Sequence, residues 1–457
     1  MNVDFIAELQ QQIGEKFVYL TPEKIDQYNF DGTDRPSNPY AIVEPETTAQ
    51  VSTLMKLASK YKVPVIPRGT GTGLTGGALA LNGGVVLSLL KLNKILSIDP
   101  VNMIATVQPG VITQELHKIL EEKGLYYPPD PSSYDASCIG GNIAEDAGGP
   151  HCYKYGTTRD YILEMEVVLA SGEIIRTGVK TRKGVVGYDI HDLIIGCEGT
   201  LGIVTEITIR LIPYPQKITT LLAFFPGIED VVNMMAGLSK IRVVPATMEF
   251  LDAECLKLLK GRIQFTIPQD TNVLTIIELE GDNEHVDAQI EPIGEVCFEN
   301  NGVDLFIADT SQKRNSIWTV RRQFREIIKE TVKYKRAEDI VVPISRIPEF
   351  IQKSNAIAEK YNFVNYNYGH LGDGNIHCNM TSLEKTAETL ERGTRAFTEI
   401  FHLTLALGGT ISGEHGIGIT KLPFVSLELS SESTRLQKEI KKIFDPLNIL
   451  NPGKIFE

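Results

Sequence analysis

The chain has 457 residues, of which 42% are hydrophobic and 23% are charged, and its formal net charge is −13. This length and composition predict a globular protein of two or three domains, and the acidic charge argues against nucleic-acid binding. Six scattered cysteines without a C-x-x-C pair argue against a disulfide framework or an iron–sulfur site. No apolar run reaches about 18 residues, and the N-terminus lacks the apolar core of a signal peptide. Together these features predict a cytoplasmic protein without a membrane span.

The elements predicted along the chain mix helices and strands without a regular βαβ rhythm. Periodicity and turn residues predict, in order, a helix over 47–62, strands at 63–69 and 83–89, two strands within 94–111, a helix over 113–124, two strands within 161–178 and one long strand over 200–215. The tail is predicted to be a helix followed by two Asn-containing turns. This order favours an α+β fold. The expected domains are 1–215, 216–420 and a C-terminal segment, 421–457.

The stretch "IPRGTGTGLTGGA" (66–78) holds five glycines between Gly69 and Gly77. Glycines let backbone N–H groups approach a phosphate closely, so the stretch predicts a phosphate cradle, with an unstructured loop as the alternative. Gly71, Gly73 and Gly76 match G-x-G-x-x-G. A turn and a strand are expected to follow, whereas a Rossmann turn opens a helix. The absence of G-K-[ST] excludes a P-loop.

Two further glycine-rich segments follow at 127–162 and 196–206. Each borders a predicted strand. Three such segments in one domain indicate a single extended ligand that contacts all of them, and a dinucleotide is the natural candidate.

The segments "PRGTGTGLTGG", "DPSSYDASCIGGNIAEDAGG", "YGTTRDYI", "GCEGTLGIVTE" and "NPGKIF" resemble the FAD-binding domain of the vanillyl-alcohol-oxidase-type (PCMH-type) flavoproteins. The resemblance covers nearly the whole chain and points to the branch of D-lactate, glycolate and D-2-hydroxyglutarate dehydrogenases. It implies a PCMH-type FAD-binding domain of two α+β subdomains and an α+β cap domain with an antiparallel sheet. The first loop has no histidine, so FAD is expected to be noncovalent.

The resemblance also implies the residues that bind FAD. The pyrophosphate would lie against the first loop, the flavin ring near the second segment, the adenine side along 196–206, and the tail would return to the ring. The implied set is Arg68, Gly69, Thr70, Gly71, Thr72, Gly73, Leu74, Pro131, Ser132, Gly141, Asn142, Ala144, Gly148, Tyr155, Gly156, Glu198, Gly202, Ile203, Val204 and Asn451.

Two glycine-rich segments in the second half carry three of the eight histidines: "YGHLGDGNIHCNM" (368–380) and "SGEHGIG" (412–418). The spacing of His370 and His377 is too long for one helical face and favours a turn between two strands. Strand alternation then places His377 and Asn379 on one face. Two imidazoles and the carboxylate of Glu414 would form a ligand set for a divalent ion, with structural histidines as the alternative.

For these segments the resemblance implies specific roles. His370, His377 and Glu414 would bind one divalent ion (Zn, Fe or Mn), His415 would accept a proton, and Arg321 and Asn379 would contact the substrate. D-2-hydroxyglutarate dehydrogenases place a threonine four residues after this arginine, where the chain has Arg325, and a lysine further on, where it reads "KRAEDIVVP". This departure favours a smaller acid.

The sequence therefore predicts metal-assisted, FAD-dependent oxidation of a small (R)-2-hydroxyacid, D-lactate first and glycolate next, to the 2-oxoacid, with hydride going to flavin N5. Electrons would pass to a separate acceptor such as an electron-transferring flavoprotein. The alternatives are a D-2-hydroxyglutarate dehydrogenase, an oxidase or alkylglycerone-phosphate-synthase-like flavoprotein of the same fold, and an electron-relay subunit without hydroxyacid turnover. The metal, and whether the chain forms a homo-oligomer or part of a complex, stay open.

Overall fold

The computed structural model describes residues 2–33, 35–263 and 265–456. It divides into two compact units. The first comprises Met1–Gly148, Thr157–Tyr214 and Glu414–Glu457, and the second comprises Gly149–Gly156 and Pro215–Gly413. Each unit contains both helices and strands, so the predicted α+β class is confirmed. In the described part of the chain, no helix combines the length and the apolar character needed to cross a membrane.

The α-helices are, in chain order, α1 Val3–Ile13, α2 Pro22–Asp26, α3 Thr48–Tyr61, α4 Thr113–Glu121, α5 Ile139–Glu145, α6 Cys152–Tyr155, α7 Ile190–Ile194, α8 Ile228–Lys240, α9 Ala253–Leu259, α10 Asn283–Glu299, α11 Ser311–Thr331, α12 Ile347–Lys360, α13 Ala387–Ala406, α14 Val425–Glu428 and α15 Ser431–Phe444. Short 3-10 helices lie at Glu15–Phe17, Thr158–Tyr161, Ile344–Arg346 and Leu422–Phe424.

The strands are β1 Val18–Tyr19, β2 Ala41–Val43, β3 Val65–Arg68, β4 Val85–Ser88, β5 Ile95–Asp99, β6 Ile104–Val107, β7 Leu125–Tyr126, β8 Ile162–Val168, β9 Ile174–Gly178, β10 Ile203–Arg210, β11 Ile212–Pro213, β12 Lys217–Phe225, β13 Thr247–Leu251, β14 Val273–Gly281, β15 Asp304–Ala308, β16 Tyr334–Val341, β17 Val364–His370 and β18 Asn375–Ser382.

The first unit contains a four-stranded sheet in the order β1-β2-β4-β3 and a five-stranded antiparallel sheet in the order β5-β6-β10-β8-β9. In the smaller sheet β3 and β4 are parallel, and the first glycine-rich loop joins them without a helix. This agrees with the sequence argument against a Rossmann turn. Helices α1 and α3 bury apolar residues in one core with β2, β3 and β4.

The second unit is built on a seven-stranded antiparallel sheet in the order β15-β12-β14-β13-β17-β18-β16. Apolar residues of α9 and α11 pack with strand residues such as Leu222, Ile276 and Tyr368 in one core. Strand register puts these three residues on one face of the sheet. The same face carries the polar residues described below.

The structure differs from the sequence expectation in four places. Residues 149–156 belong to the second unit, where α6 packs against β13, and the returning segment begins at Glu414 instead of residue 421. Helix α4 ends at Glu121, three residues before Gly124. The strand expected over 200–215 is interrupted, because β10 ends at Arg210 and β11 pairs with β7.

Candidate active site

The two histidines of the 368–380 segment lie on adjacent strands of one hairpin. β17 ends at His370, a turn covers 371–374, and β18 begins at Asn375, as the spacing predicted. Gly374 has φ +82 in this turn, a conformation that L side chains rarely adopt. His370 pairs with Asn375, and His377 pairs with Tyr368, so both imidazoles share one face of the sheet. Their ring centroids are 5.3 Å apart, edge to face.

The imidazole of His370 is fixed by a carboxylate on the neighbouring strand. Glu249 lies opposite His370 in the β13–β17 register, and its Oε1 contacts Nδ1 of that ring. Glu249 is fully buried, at 0% exposure. Nδ1 of the ring therefore faces Glu249, and Nε2 is on the other side of the ring. A carboxylate behind the ring is the usual support of a metal-binding histidine, so this arrangement of His370 fits a divalent ion.

Arg321 is held on the same face by helix α11. Trp318 and Phe324 of this helix are buried against the sheet, and Arg321 between them is 5% exposed. Its guanidinium lies 4.9 Å from the centre of the Tyr368 ring and forms an ion pair with Glu249. Nε of Arg321 has no hydrogen bond within the described residues. The side chain therefore retains directional donors for a carboxylate.

Asn379 shares this face with His377, as strand alternation predicted. Its Nδ2 donates to the backbone oxygens of Tyr366, at 3.2 Å, and His377, at 2.8 Å. Its Oδ1 accepts no hydrogen bond within the described residues. The amide orientation is thus fixed from one side, and a fully buried acceptor is left on the other.

Asp339 is a buried acid that sequence reasoning missed. It pairs with His377 in the β16–β18 register, and its Oδ1 lies 4.0 Å from Nδ1 of that histidine. It accepts hydrogen bonds from Nδ2 of Asn375, at 2.5 Å, and from the backbone N–H of Gly413, at 2.9 Å. Glu414 is the next residue in the chain, so Asp339 fixes the start of the "GEHG" segment. The one available signal was an acid directly before the apolar run at 340–342.

In the first unit, the carboxylate of Glu198 anchors the segment that follows Gly413. Its two carboxylate oxygens accept from the N–H groups of Ile417 and Gly418, both at 2.7 Å. The backbone oxygen of His415 accepts from Thr75 Oγ1 at 3.3 Å. Nε2 of His415 lies 3.8 Å from Oε1 of Glu414. The carboxylate of Glu198, a residue expected on the adenine side of FAD, is thus hydrogen-bonded to the loop that follows His415.

The first glycine-rich loop presents a buried cation. Arg68 is 3% exposed, and its guanidinium lies 5.6 Å from the ring centres of Tyr28 and Phe30. Its Nε and Nη1 make no hydrogen bond within the described residues, and burial lowers its pKa. A desolvated guanidinium with unused donors fits an anionic group such as a pyrophosphate. Gly71, at φ +81, leaves the space that the guanidinium occupies.

The glycine-rich segments meet inside the first unit, as an extended ligand would require. A Cβ on Gly69 would overlap Sγ of Cys138, just before α5. Asn451 Nδ2 donates to the backbone oxygens of Gly77, at 2.9 Å, and Glu198, at 2.7 Å. The tail therefore joins the first and third segments.

The other residues expected to bind FAD fall into three groups. Gly141, Asn142 and Ala144 lie on α5, Asn142 donates to Thr113 Oγ1 at 2.9 Å, and the oxygen of Ala144 accepts from the N–H of Glu198 at 2.8 Å. Pro131 and Ser132 precede this helix, Gly148 follows it, Gly202 precedes β10, and Ile203 and Val204 begin β10. Tyr155 and Gly156 belong to the second unit, where the Tyr155 hydroxyl contacts Glu280.

Glu145, half-buried at the end of α5, is another acid that the sequence did not reveal. Its Oε1 lies within 3.3 Å of the position that a Cβ on Gly77 would take, and Oε2 of Glu198 lies within 3.5 Å of the same position. Burial, with the charge of Glu198, raises the pKa of Glu145 well above its usual value.

A glycine-lined anion cradle in one α+β unit, with a polar, histidine-bearing sheet face in a second α+β unit, defines a flavoprotein of the PCMH type. Residues 39–178 match the family described as "FAD binding domain", and residues 214–455 match the family described as "FAD linked oxidases, C-terminal domain". The chain belongs to the FAD-linked oxidase family and is an FAD-dependent oxidoreductase.

Two relatives and one solved structure illustrate the similarity. The chain is 40% identical to the glycolate oxidase subunit GlcD of Bacillus subtilis (strain 168), covering 98% of this chain and 97% of the relative. It is 34% identical to a D-lactate dehydrogenase of Anaerostipes hadrus, covering 96% of each. The structure of a p-cresol methylhydroxylase with substrate bound superimposes with a TM-score of 0.81 at 19% identity, covering 99% of this chain and 96% of that one. This last likeness concerns the fold alone.

Proposed function

We propose that the protein oxidises a small (R)-2-hydroxyacid, D-lactate first and glycolate next, to the 2-oxoacid, with noncovalent FAD and one divalent ion. The observation that carries this proposal is the shared sheet face of the second unit. There Tyr368 lies beneath Arg321, at 4.9 Å, and beside the His377 ring, at 5.3 Å. An arginine, two imidazoles and an amide acceptor are thus within one side-chain layer, which supports the proposal.

Each residue has a defined task in this proposal. When bound, FAD supplies a hydride acceptor and the ion supplies Lewis acidity. Arg321 binds the substrate carboxylate through its unused donors, and Asn379 Oδ1 accepts from the substrate and orients it. His370, His377 and Glu414 hold the ion. His415, on the loop that Glu198 anchors, takes the hydroxyl proton.

The names of the two relatives support this substrate class, since they are a glycolate oxidase subunit and a D-lactate dehydrogenase. The side chain of Arg325, where D-2-hydroxyglutarate dehydrogenases are expected to have a threonine, favours a small acid. Reduced flavin would pass its electrons to a separate acceptor, and we propose an electron-transferring flavoprotein.

A dicarboxylate such as D-2-hydroxyglutarate is the second candidate, and one observation favours it. Lys335 pairs with Thr381, two residues along β18 from Asn379, and its Nζ lies 3.3 Å from the backbone oxygen of Arg325. Burial, with the charges of Arg325 and Lys329, lowers the pKa of Lys335 to about 7. This concentration of cations would suit a second carboxylate.

An anaerobic flavin-reduction screen tests the proposal. The holoenzyme is mixed with D-lactate, L-lactate, glycolate and D-2-hydroxyglutarate, and bleaching of the flavin absorbance is followed together with metal content. Fast bleaching by D-lactate or glycolate, with one ion per chain, is expected. Preference for D-2-hydroxyglutarate would select the second candidate, and bleaching by none of them would support an electron-relay subunit.

A further inference from the structure

Glu249 contacts two residues to which the proposed function gives different tasks. Its Oε1 meets Nδ1 of His370, and its Oε2 forms the ion pair with Arg321. It is 0% exposed, in a strand of five residues whose other members are Thr, Met, Phe and Leu. A carboxylate in such a place is strongly unfavourable unless cations and donors compensate it.

We infer that Glu249 is a positioning residue that couples the metal ligand His370 to the carboxylate-binding Arg321, and this inference rests on the proposed function. The carboxylate fixes the proton of His370 on Nδ1, so that Nε2 is the nitrogen presented to the ion. The same carboxylate holds the guanidinium of Arg321 in place over Tyr368.

The geometry indicates that one carboxylate, that of Glu249, positions both His370 and Arg321. Glu249 lies opposite His370 across a single strand pair, while Arg321 reaches the same carboxylate from helix α11 on the face above. Nε of Arg321 makes no hydrogen bond within the described residues, so the guanidinium keeps a donor beside its ion pair with Glu249. Arg321 is thereby positioned but still able to bind a ligand.

The chain offers a matched control in Glu278. This acid is also buried and lies on the same face, opposite Thr247, the first residue of β13. Its Oε2 accepts from Thr220 Oγ1 and from Trp318 Nε1, both at 2.7 Å. Its hydrogen bonds thus go to residues other than His370 and Arg321, so Glu278→Gln reports the cost of removing a buried charge from this face.

The first measurement is the affinity of metal-free protein for Zn²⁺, titrated against a chelating indicator. Glu249→Gln should weaken Zn²⁺ binding about 10- to 100-fold, and Glu278→Gln should leave it within about threefold of wild type. Glu249→Asp, which keeps the charge on a shorter side chain, should lie between wild type and Glu249→Gln. Equal affinities for wild type, Glu249→Gln and Glu249→Asp would overturn the inference.

The second measurement does not depend on metal or activity. With ¹⁵N-labelled histidine, the ring nitrogens of eight residues are observed, and His370→Asn identifies the signal of interest. In metal-free wild type we expect a single tautomer with the proton on Nδ1, and in Glu249→Gln an average of two tautomers. A wild-type proton on Nε2 would refute the positioning role without any variant.

The third measurement concerns Arg321. The assay is anaerobic flavin reduction by D-lactate at saturating Zn²⁺, so that weaker metal binding does not contribute. Under these conditions Glu249→Gln should raise the half-saturating concentration of D-lactate at least tenfold. An unchanged value would remove Arg321 from the inference. If wild type takes up no divalent ion, the metal part of the proposed function fails, while the ring tautomer still decides the role of Glu249.

Discussion

Replacement of Gly71 by alanine should weaken FAD binding by displacing Arg68. Gly71 has φ +81, where a Cβ costs about 1–2 kcal/mol. The new Cβ would also lie 2.5 Å from Cζ of Arg68, closer than real Cβ atoms approach other atoms. Because this guanidinium is 3% exposed and flanked by two aromatic rings, it has to leave its place to relieve the overlap.

The expected loss can be separated into backbone and side-chain parts. Gly187 has a similar φ of +84 with nothing within 4 Å of its Cβ position, so Gly187→Ala carries the backbone cost alone. Gly187→Ala should lose about 1–2 kcal/mol of unfolding free energy, and Gly71→Ala should lose at least as much. Hydrogen bonds to a charged group contribute roughly 1.5–3 kcal/mol, so Gly71→Ala alone should raise the Kd for FAD about 10- to 150-fold.

The assay is titration of the apoprotein with FAD, followed by quenching of flavin fluorescence. Arg68→Met should show a loss of similar size, and the double variant should lose little more than either single one, because both remove the same interaction. If Gly71→Ala and Gly187→Ala bind FAD equally well, Arg68 does not bind the pyrophosphate and the reasoning is wrong.

Four further outcomes are expected. Acid precipitation should release yellow flavin into the supernatant, and flavin retained in the pellet would contradict noncovalent binding. His377→Ala should lose most of its metal and activity, measured by elemental analysis and flavin bleaching, whereas wild-type metal content would exclude it as a ligand. His415→Asn should keep flavin and metal, but its flavin should bleach at least about 100-fold more slowly in stopped flow. His402→Asn, at an exposed position, is the control. A near wild-type rate for His415→Asn would remove His415 from the mechanism. The folded pKa of Lys335, about 7, is below its unfolded value of 10.5, so the folded protein loses this proton first and stability should rise with pH between these values. Lys335→Met should therefore be more stable than wild type at pH 7 by a few kcal/mol at most, and this gain should shrink towards pH 10. Chemical denaturation at several pH values measures the difference in unfolding free energy. A difference that stays constant with pH would be inconsistent with the lowered pKa of Lys335.

The sequence by itself determined the features that depend on neighbouring residues. Helical periodicity placed α3 within one residue of each end, and the glycines between His370 and His377 predicted the hairpin. Strand alternation then put His377 and Asn379 on one face. Turn residues and local periodicity suffice for such statements, because they involve segments of a few to about fifteen residues.

The tertiary structure alone decided which distant side chains meet. Glu249 and His370 are separated by 121 positions and come together only because β13 pairs with β17 in this register. A shift by one residue would turn Glu249 to the opposite face. Asp339 and Gly413, 74 positions apart, meet where the segment before Gly413 returns to the end of β16 and Thr410 bridges Val341. Register among strands far apart in the chain is set by packing of the whole sheet, and no local pattern of "TMEFL" or "AEDIV" encodes it.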